Sequence, residues 1–273
     1  MFIIFSTKGK ITQIWCNQKQ EIILISHKEH LMKNHIHTIP VISAFKDPGY
    51  CPFCKMQQSL DADAVHFIMG PAYMDEEVRD KTNEAGFCEE HLKKIYEVQN
   101  RLGFALLIHT HLKHLQKTIN KPDFDKPRAT SGLFKKPESQ LSIKASQLNQ
   151  QQKRCYLCEK VQDTFDKYVD TFFYMWSREP EILELINNLP AGFCITHYGM
   201  LLEKSEIKLG KKHIDDFLNQ ITTVQQKAIA KLEADMDWFV QKFDYRNADA
   251  PWKDSKDALT RAMAMLKGID YNA

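Results

Sequence analysis

The sequence lacks a long apolar run, a marked excess of either charge, and any loop of the kind that cradles phosphates. Its opening stretch Met1-Phe2-Ile3-Ile4-Phe5 is apolar, but Ser6-Thr7-Lys8-Gly9 ends it before a secretory core or a membrane span can form. With no export signal, the expected location is cytoplasmic. Lysine and arginine outnumber aspartate and glutamate by only 37 to 35, too little for a surface built to hold phosphate backbones or anionic lipid. Neither nucleic acid nor membrane is therefore an expected partner. No nucleophile or paired-acid signature supports a reaction class.

What is present is a chain of 273 residues, 43% hydrophobic and 26% charged, enough for one sizeable core or two smaller ones. In a reducing compartment, disulfides rarely persist while metal thiolates do, so cysteine spacing carries the most information. Six of the seven cysteines form two copies of one pattern. Cys51-Pro-Phe-Cys54 is followed by Gly86-Phe-Cys88-Glu-Glu-His91, and Cys155-Tyr-Leu-Cys158 by Gly192-Phe-Cys194-Ile-Thr-His197. The intervals from Cys54 to Cys88 and from Cys158 to Cys194 are 34 and 36 positions, so an internal duplication is the economical reading. Cys16 is left over.

Zinc needs four soft or borderline donors at tetrahedral corners, and Cys-x-x-Cys with Cys-x-x-His supplies two pairs from two compact pieces of backbone. If Cys88 and Cys194 open helices, the histidines three residues later face the same side one turn on. Cys51 with Pro52 also suits a helix start, where the dipole favours a thiolate. Unligated core cysteines do not account for the doubled constellation. Thiol-redox chemistry does not require the histidines, and no βαβ pattern surrounds the motifs. An iron–sulfur cluster explains the spacing no better than zinc. The simplest grouping puts Cys51, Cys54, Cys88 and His91 on one ion and Cys155, Cys158, Cys194 and His197 on another, with exchange between the halves left open. Four protein donors leave no position for water, so two structural zinc ions are expected rather than a catalytic one.

Periodicity predicts an all-α protein with long amphipathic helices. Met56, Leu60, Ala64, Phe67 and Ile68 define one helix, stopped by Gly70-Pro71, and Val161, Phe165, Val169, Phe172, Phe173 and Trp176 define its counterpart. The run from Leu92 to Ile119 reads as a single long helix, closely packed at Gly103. Its His109, His111 and His114 do not converge on one face and are read as solvated. Ile214 to Phe243 predicts another long helix. Ser255 reads as the cap of a last one ending at Gly268. Only residues 1–26 could supply short strands. Residues 121–152, rich in polar side chains and proline, read as a linker. The expected organisation is an N-terminal extension 1–31, a first zinc-binding half 32–120, the linker, and a second half 153–273.

Taken together, His35-Ile-His37-Thr-Ile-Pro40, the four metal motifs and Asp237-Trp-Phe239 with Lys242-Phe-Asp-Tyr-Arg-Asn-Ala-Asp249-x-Pro-Trp252 resemble uncharacterised bacterial proteins grouped as a domain of unknown function. The resemblance covers Met32 to Gly268 and sets residues 1–31 apart as an extension, which puts their standing as native sequence in question. It brings no activity with it. Outside the metal motifs, the candidate ligand or structural residues are His35, His37, Asp244, Arg246, Asn247, Asp249 and Trp252. The favoured role for the loop is structural, with Arg246 paired to a carboxylate, Asn247 and Asp249 serving turn amides and Trp252 plugging the core. Three functions are carried forward: a zinc-stabilised helical scaffold engaging a protein partner or itself, a redox- or zinc-responsive switch, and an enzyme using the His35/His37 and Asp244–Asp254 regions.

Overall fold

The computed structural model describes residues 37–47, 49–120 and 140–269, and among them every regular element is helical. The all-α expectation is met. The strands considered for residues 1–26, the extension 1–31 and His35 lie outside the described residues.

Helix α1 spans residues 37–45. Helix α2, Pro52–Met69, starts with a proline whose missing N–H is no loss in a first turn, and Gly70-Pro71 ends it in a single 3-10 turn, Pro71–Met74. Helix α3, Glu76–Ala85, is capped by the Asp75 carboxylate, which accepts the Val78 N–H at 3.0 Å, with Glu76 and Glu77 at the positive end of the dipole.

The single helix expected from Leu92 to Ile119 is two helices, α4 (Glu89–Glu97) and α5 (Arg101–Asn120). Gln99 takes a left-handed conformation, with φ of 65°. Asn100 then restarts the chain: its side-chain oxygen accepts the Gly103 N–H at 3.0 Å, and its amide donates to the Met69 carbonyl at 2.9 Å. An uninterrupted apolar period concealed this cap, because residues 98–100 preserve the spacing while breaking the backbone ladder. The close packing expected at Gly103 is present, since a β-carbon there would meet Tyr73 and Asn100 at 2.9 Å.

The end of the expected linker is also helical: α6 covers Gln140–Gln152. The Lys144 ammonium donates to the Thr118 carbonyl at 2.9 Å and the Ile119 carbonyl at 3.3 Å, acceptors in the last turn of α5. A polar helix held this way shows no apolar stripe in sequence. Residues 121–139 lie outside the described residues.

Helices α7 (Tyr156–Trp176), α8 (Pro180–Asn187), α9 (Ile195–Lys208), α10 (Lys211–Gln241) and α11 (Ala258–Lys267) complete the chain. Ser255 is not the cap of α11. It sits in the 3-10 turn Lys253–Ser255 and donates to the Trp252 carbonyl at 2.6 Å, while α11 begins beyond Asp257. Gly268 does end α11, in the left-handed conformation expected of a stop.

The helices form two compact units that cut across the sequential order. One holds the described residues up to Met56 and from Lys167 onward; the other is Gln57–Asp166. The chain passes between them inside α2 and again inside α7. The core of the first is aromatic: Phe172 lies 5.2 Å from Phe53, 5.3 Å from Phe45 and 5.4 Å from Phe173, and Phe217 stands 5.1 Å from Trp176. The core of the second is aliphatic, with Ile68, Ile95, Leu107 and Leu157 fully buried and Phe87 packed against them.

Candidate metal centres

Each cysteine motif takes the backbone role its spacing suggests. Cys51 directly precedes α2 and Cys155 directly precedes α7, so each Cys-x-x-Cys spans a first helical turn. Cys88 and Cys194 are the N-caps of α4 and α9, both in extended conformation, which sets His91 and His197 one turn in. The glycine two residues before each cap has a φ near 60°, 66° at Gly86 and 62° at Gly192. A β-carbon at Gly192 would also stand 2.8 Å from that of Ala228, so both conformation and space call for glycine.

Apolar residues within and beside the motifs anchor each in its core. Phe53 and Phe193 are fully buried in the first unit, and the Phe53 ring lies 5.7 Å from that of His197. Leu157 plays the same part in the second.

The side chains converge as two four-residue clusters, Cys51, Cys54, Cys194 and His197 in one unit and Cys88, His91, Cys155 and Cys158 in the other. Within each, the four ligand atoms lie within 4.8 Å of one another, and either cluster is able to hold a metal ion. All six cysteines are unpaired as disulfides. This is the exchanged grouping; the simpler arrangement, with each Cys-x-x-Cys served by the next Cys-x-x-His, does not form. The reason is the length of α2. The chain returning through α3 brings His91 against Asp61, seven residues and about 10 Å along α2 from Cys54. The start of α2 is instead met by the later turn at Cys194.

In the first cluster, His197 Nδ1 stands 3.2, 3.3 and 3.7 Å from the sulfurs of Cys194, Cys54 and Cys51, and Cys54 and Cys194 are 3.4 Å apart. Gly268 covers it, where any β-carbon would meet Cys54 Sγ at 2.7 Å. In the second, His91 Nδ1 is 3.2 Å from Cys88 and 3.3 Å from both Cys155 and Cys158. The first cluster is buried throughout, whereas Cys158 is exposed and Cys88 half-buried.

Crowding three sulfurs around an imidazole drives their acidities apart. Burial, the largest single influence, pushes the Cys155 thiol up, but hydrogen bonding with His91 and with the backbone at Cys158 and Cys88 together outweighs it and brings the thiol down to about 6. The same contact, helped by Asp61 and opposed by burial, raises His91 to about 9. Contacts with Cys51 and Cys54 hold Cys194 far below the usual thiol range, while hydrogen bonding to Cys194 and Cys51 forces Cys54 far above it. A bound cation removes this competition by favouring every thiolate at once.

Two supporting side chains escaped the sequence reading. Asp61 accepts from His91 Nε2 at 2.8 Å through one oxygen and from Lys94 Nζ at 2.8 Å through the other, fixing the imidazole so that Nδ1 faces the sulfurs. Gln225, 3% exposed, clamps the Phe193 peptide: its oxygen accepts the Phe193 N–H and its amide donates to the Phe193 carbonyl, each at 2.9 Å. A polar residue among the core positions Ile221, Val224 and Ala228 was the available signal for Gln225. For Asp61 there was none, because its partner lies thirty positions away. His111, read as solvated, is half-buried, and its Nδ1 hydrogen-bonds the Asn83 carbonyl at 2.9 Å.

Among the described residues, the other candidate residues form no metal-binding cluster with the cysteines. His37 lies in α1 rather than in an extended segment and packs on Tyr168 at 5.3 Å, and its burial and Lys167 lower its pKa. In the Asp244–Asp254 loop, Arg246 pairs with Asp244 at 2.6 Å, and Asn247 donates to the Gln241 carbonyl at 3.0 Å. Asp249 is exposed. Trp252 leans on Phe239 at 5.8 Å and stays 39% exposed, so it covers the loop instead of plugging the core. The loop's organiser is Lys242, only 7% exposed, whose ammonium donates to the carbonyls of Asn247, Ala248 and Ala250 at 2.6, 2.8 and 2.5 Å.

Among the described residues no helix is long and apolar enough to cross a membrane. No curated protein and no solved structure matches the chain. A family profile does match, over residues 32–273, and with it the motifs and the fold find their place: the chain belongs to DUF6062, a family of unknown function.

Proposed function

We infer that both clusters bind zinc and that the protein is a zinc-stabilised helical scaffold that works by presenting a surface to a protein partner. The observation that carries this reading is two complete Cys3His donor sets, each with its four ligand atoms within 4.8 Å of one another. Zinc bonds of about 2.3 Å to sulfur and about 2.0 Å to nitrogen put neighbouring donors about 3.5–3.8 Å apart. The sulfur pair Cys88–Cys158, at 3.8 Å, fits that requirement, and Cys54–Cys194, at 3.4 Å, falls slightly short of it. Four protein donors fill the coordination shell, which favours a structural ion over a catalytic one. Elemental analysis of protein purified without added metal is expected to give two zinc equivalents per chain. Iron in their place, or a folded and reduced protein free of both metals, sinks the reading.

The Asp61 contact supports a finer expectation. Carboxylates that orient a ligating imidazole strengthen binding, so Asp61→Asn should weaken zinc at the Cys88, His91, Cys155, Cys158 centre by about 10- to 100-fold. Competition against a chromophoric chelator measures this, with the other centre as internal reference. Equal affinity in the variant would reduce Asp61 to a surface ion-pair partner of Lys94.

A second reading, a redox- or zinc-responsive switch, draws support from the exposure of Cys158. Reversible zinc release under mild peroxide, coupled to a change in assembly, would favour it over the static scaffold.

A further inference from the structure

In the unit that contains α10 and α11, a groove of about 480 Å³ runs along the C-terminal part of α10 and against α11. Its apolar walls come from Ile229, Met236 and Val240 on α10 and Leu266 on α11, with Ile195, the first residue of α9, also lining it. These are large side chains left open to solvent: Val240 is 63% exposed, Leu266 60%, Ile195 45% and Ile229 43%. From Ile229 to Val240 is eleven residues, about 16 Å, the length of three helical turns. The two charged residues in the walls, Glu233 and Asp237, are both carboxylates, and neither is paired with a cation among the described residues.

These carboxylates choose the occupant. If two copies of the chain met groove to groove, two-fold symmetry would set both acidic pairs against each other, an arrangement that like charges disfavour. A partner helix with an apolar face and flanking lysine or arginine meets no such penalty. We propose that this groove is a docking site for a cationic amphipathic helix of another protein, which presents apolar residues at i, i+3 or i+4, and i+7 to the floor and basic residues to Glu233 and Asp237. The proposal rests on the scaffold reading and names the chemistry of its partner. It also ties docking to the adjoining metal cluster. Ile195 follows the ligand Cys194, and Gly268 at the end of α11 lies against Cys54.

The probe is a labelled designed helix of about four turns, with leucine on one face and lysine elsewhere, titrated against the full chain at physiological ionic strength, beside a counterpart carrying glutamate for lysine. The lysine peptide is expected to bind saturably, about tenfold or more tightly than the glutamate peptide. Leu266→Glu and, on the opposite wall, Ile229→Asp should each abolish binding with helicity and zinc content unchanged. Glu233→Lys with Asp237→Lys should reverse the preference. Equal binding of both peptides, or binding untouched by the wall substitutions, overturns the proposal. So does a concentration-dependent dimer that Leu266→Glu dissolves, or binding that appears only when residues 1–31 are removed. Two bound zinc ions without peptide binding would defeat the groove alone. Peptide binding by a folded protein free of zinc would defeat the scaffold's metal and leave the groove standing.

Discussion

Serine in place of both Cys51 and Cys194 is expected to leave one zinc ion per chain, whereas serine at Cys51 and Cys88 leaves none that withstands a competing chelator. The contrast follows from the exchanged grouping, because the first pair shares a cluster and the second pair takes one donor from each. Pairing the motifs in sequence order predicts the reverse. The effect is large because a structural zinc contributes about 10–16 kcal/mol in small zinc-binding peptides, as much as the whole stability of about 5–15 kcal/mol typical of a domain. Losing one ion should therefore loosen its own unit. The tryptophans tell which: Trp176, Trp238 and Trp252, the three among the described residues, all belong to the unit of the Cys51 cluster. Cys51→Ser with Cys194→Ser should shift tryptophan emission to the red. Cys88→Ser with Cys155→Ser should bind one ion and keep the native emission. If the Cys51 and Cys88 pair retains one tightly held ion, the exchanged grouping is wrong.

Why the grouping escaped the sequence while the ligands themselves did not is a matter of distance along the chain. Cys-x-x-Cys at a helix start and Cys-x-x-His at an N-cap are local arrangements, specified within one turn of backbone, and both repeat as the spacing suggests. The amphipathic periods of α2, α7 and α10 are local in the same sense. Which motif meets which depends on where α3 returns beside α2, and that is decided by Asp61, Lys94 and His91 finding one another across about thirty positions. No period in a single sequence encodes such a meeting. Asn100 and Lys144 show a related limit. A side chain that caps a neighbouring helix or satisfies its last carbonyls is polar and unremarkable in sequence, yet Asn100 divides one expected helix into two and Lys144 fastens a helix within the expected linker. The same holds for Gln225, whose amide fixes the turn that delivers Cys194.

Lys242 carries the loop in the same hidden way, and its removal should open the Asp244–Asp254 segment without unfolding the protein. Three backbone carbonyls converge on its ammonium, in a place where the side chain is nearly sealed from solvent by the Trp252 ring, 5.2 Å away. Methionine preserves the stem and its packing but strips the donors, leaving those carbonyls to be met by water only if the loop moves. Hydrogen bonds from a charged donor are worth about 1.5–3 kcal/mol each, and shared acceptors on one ammonium are not additive, so Lys242→Met should cost about 2–4 kcal/mol, felt locally. Arginine should not rescue it, because a planar fork cannot aim three donors at one focus as a tetrahedral ammonium does. Arg246→Ala should leave the loop in place, since that guanidinium reaches only the Asp244 carboxylate and stands in solvent. Hydrogen exchange decides the matter residue by residue. Faster exchange confined to residues 244–256 in Lys242→Met, with the metal-ligand turns still protected, is the expected pattern; unchanged protection there would mean that the remaining contacts, among them Trp238 to the Pro251 carbonyl at 3.0 Å and Asn247 to the Gln241 carbonyl at 3.0 Å, hold the loop without Lys242.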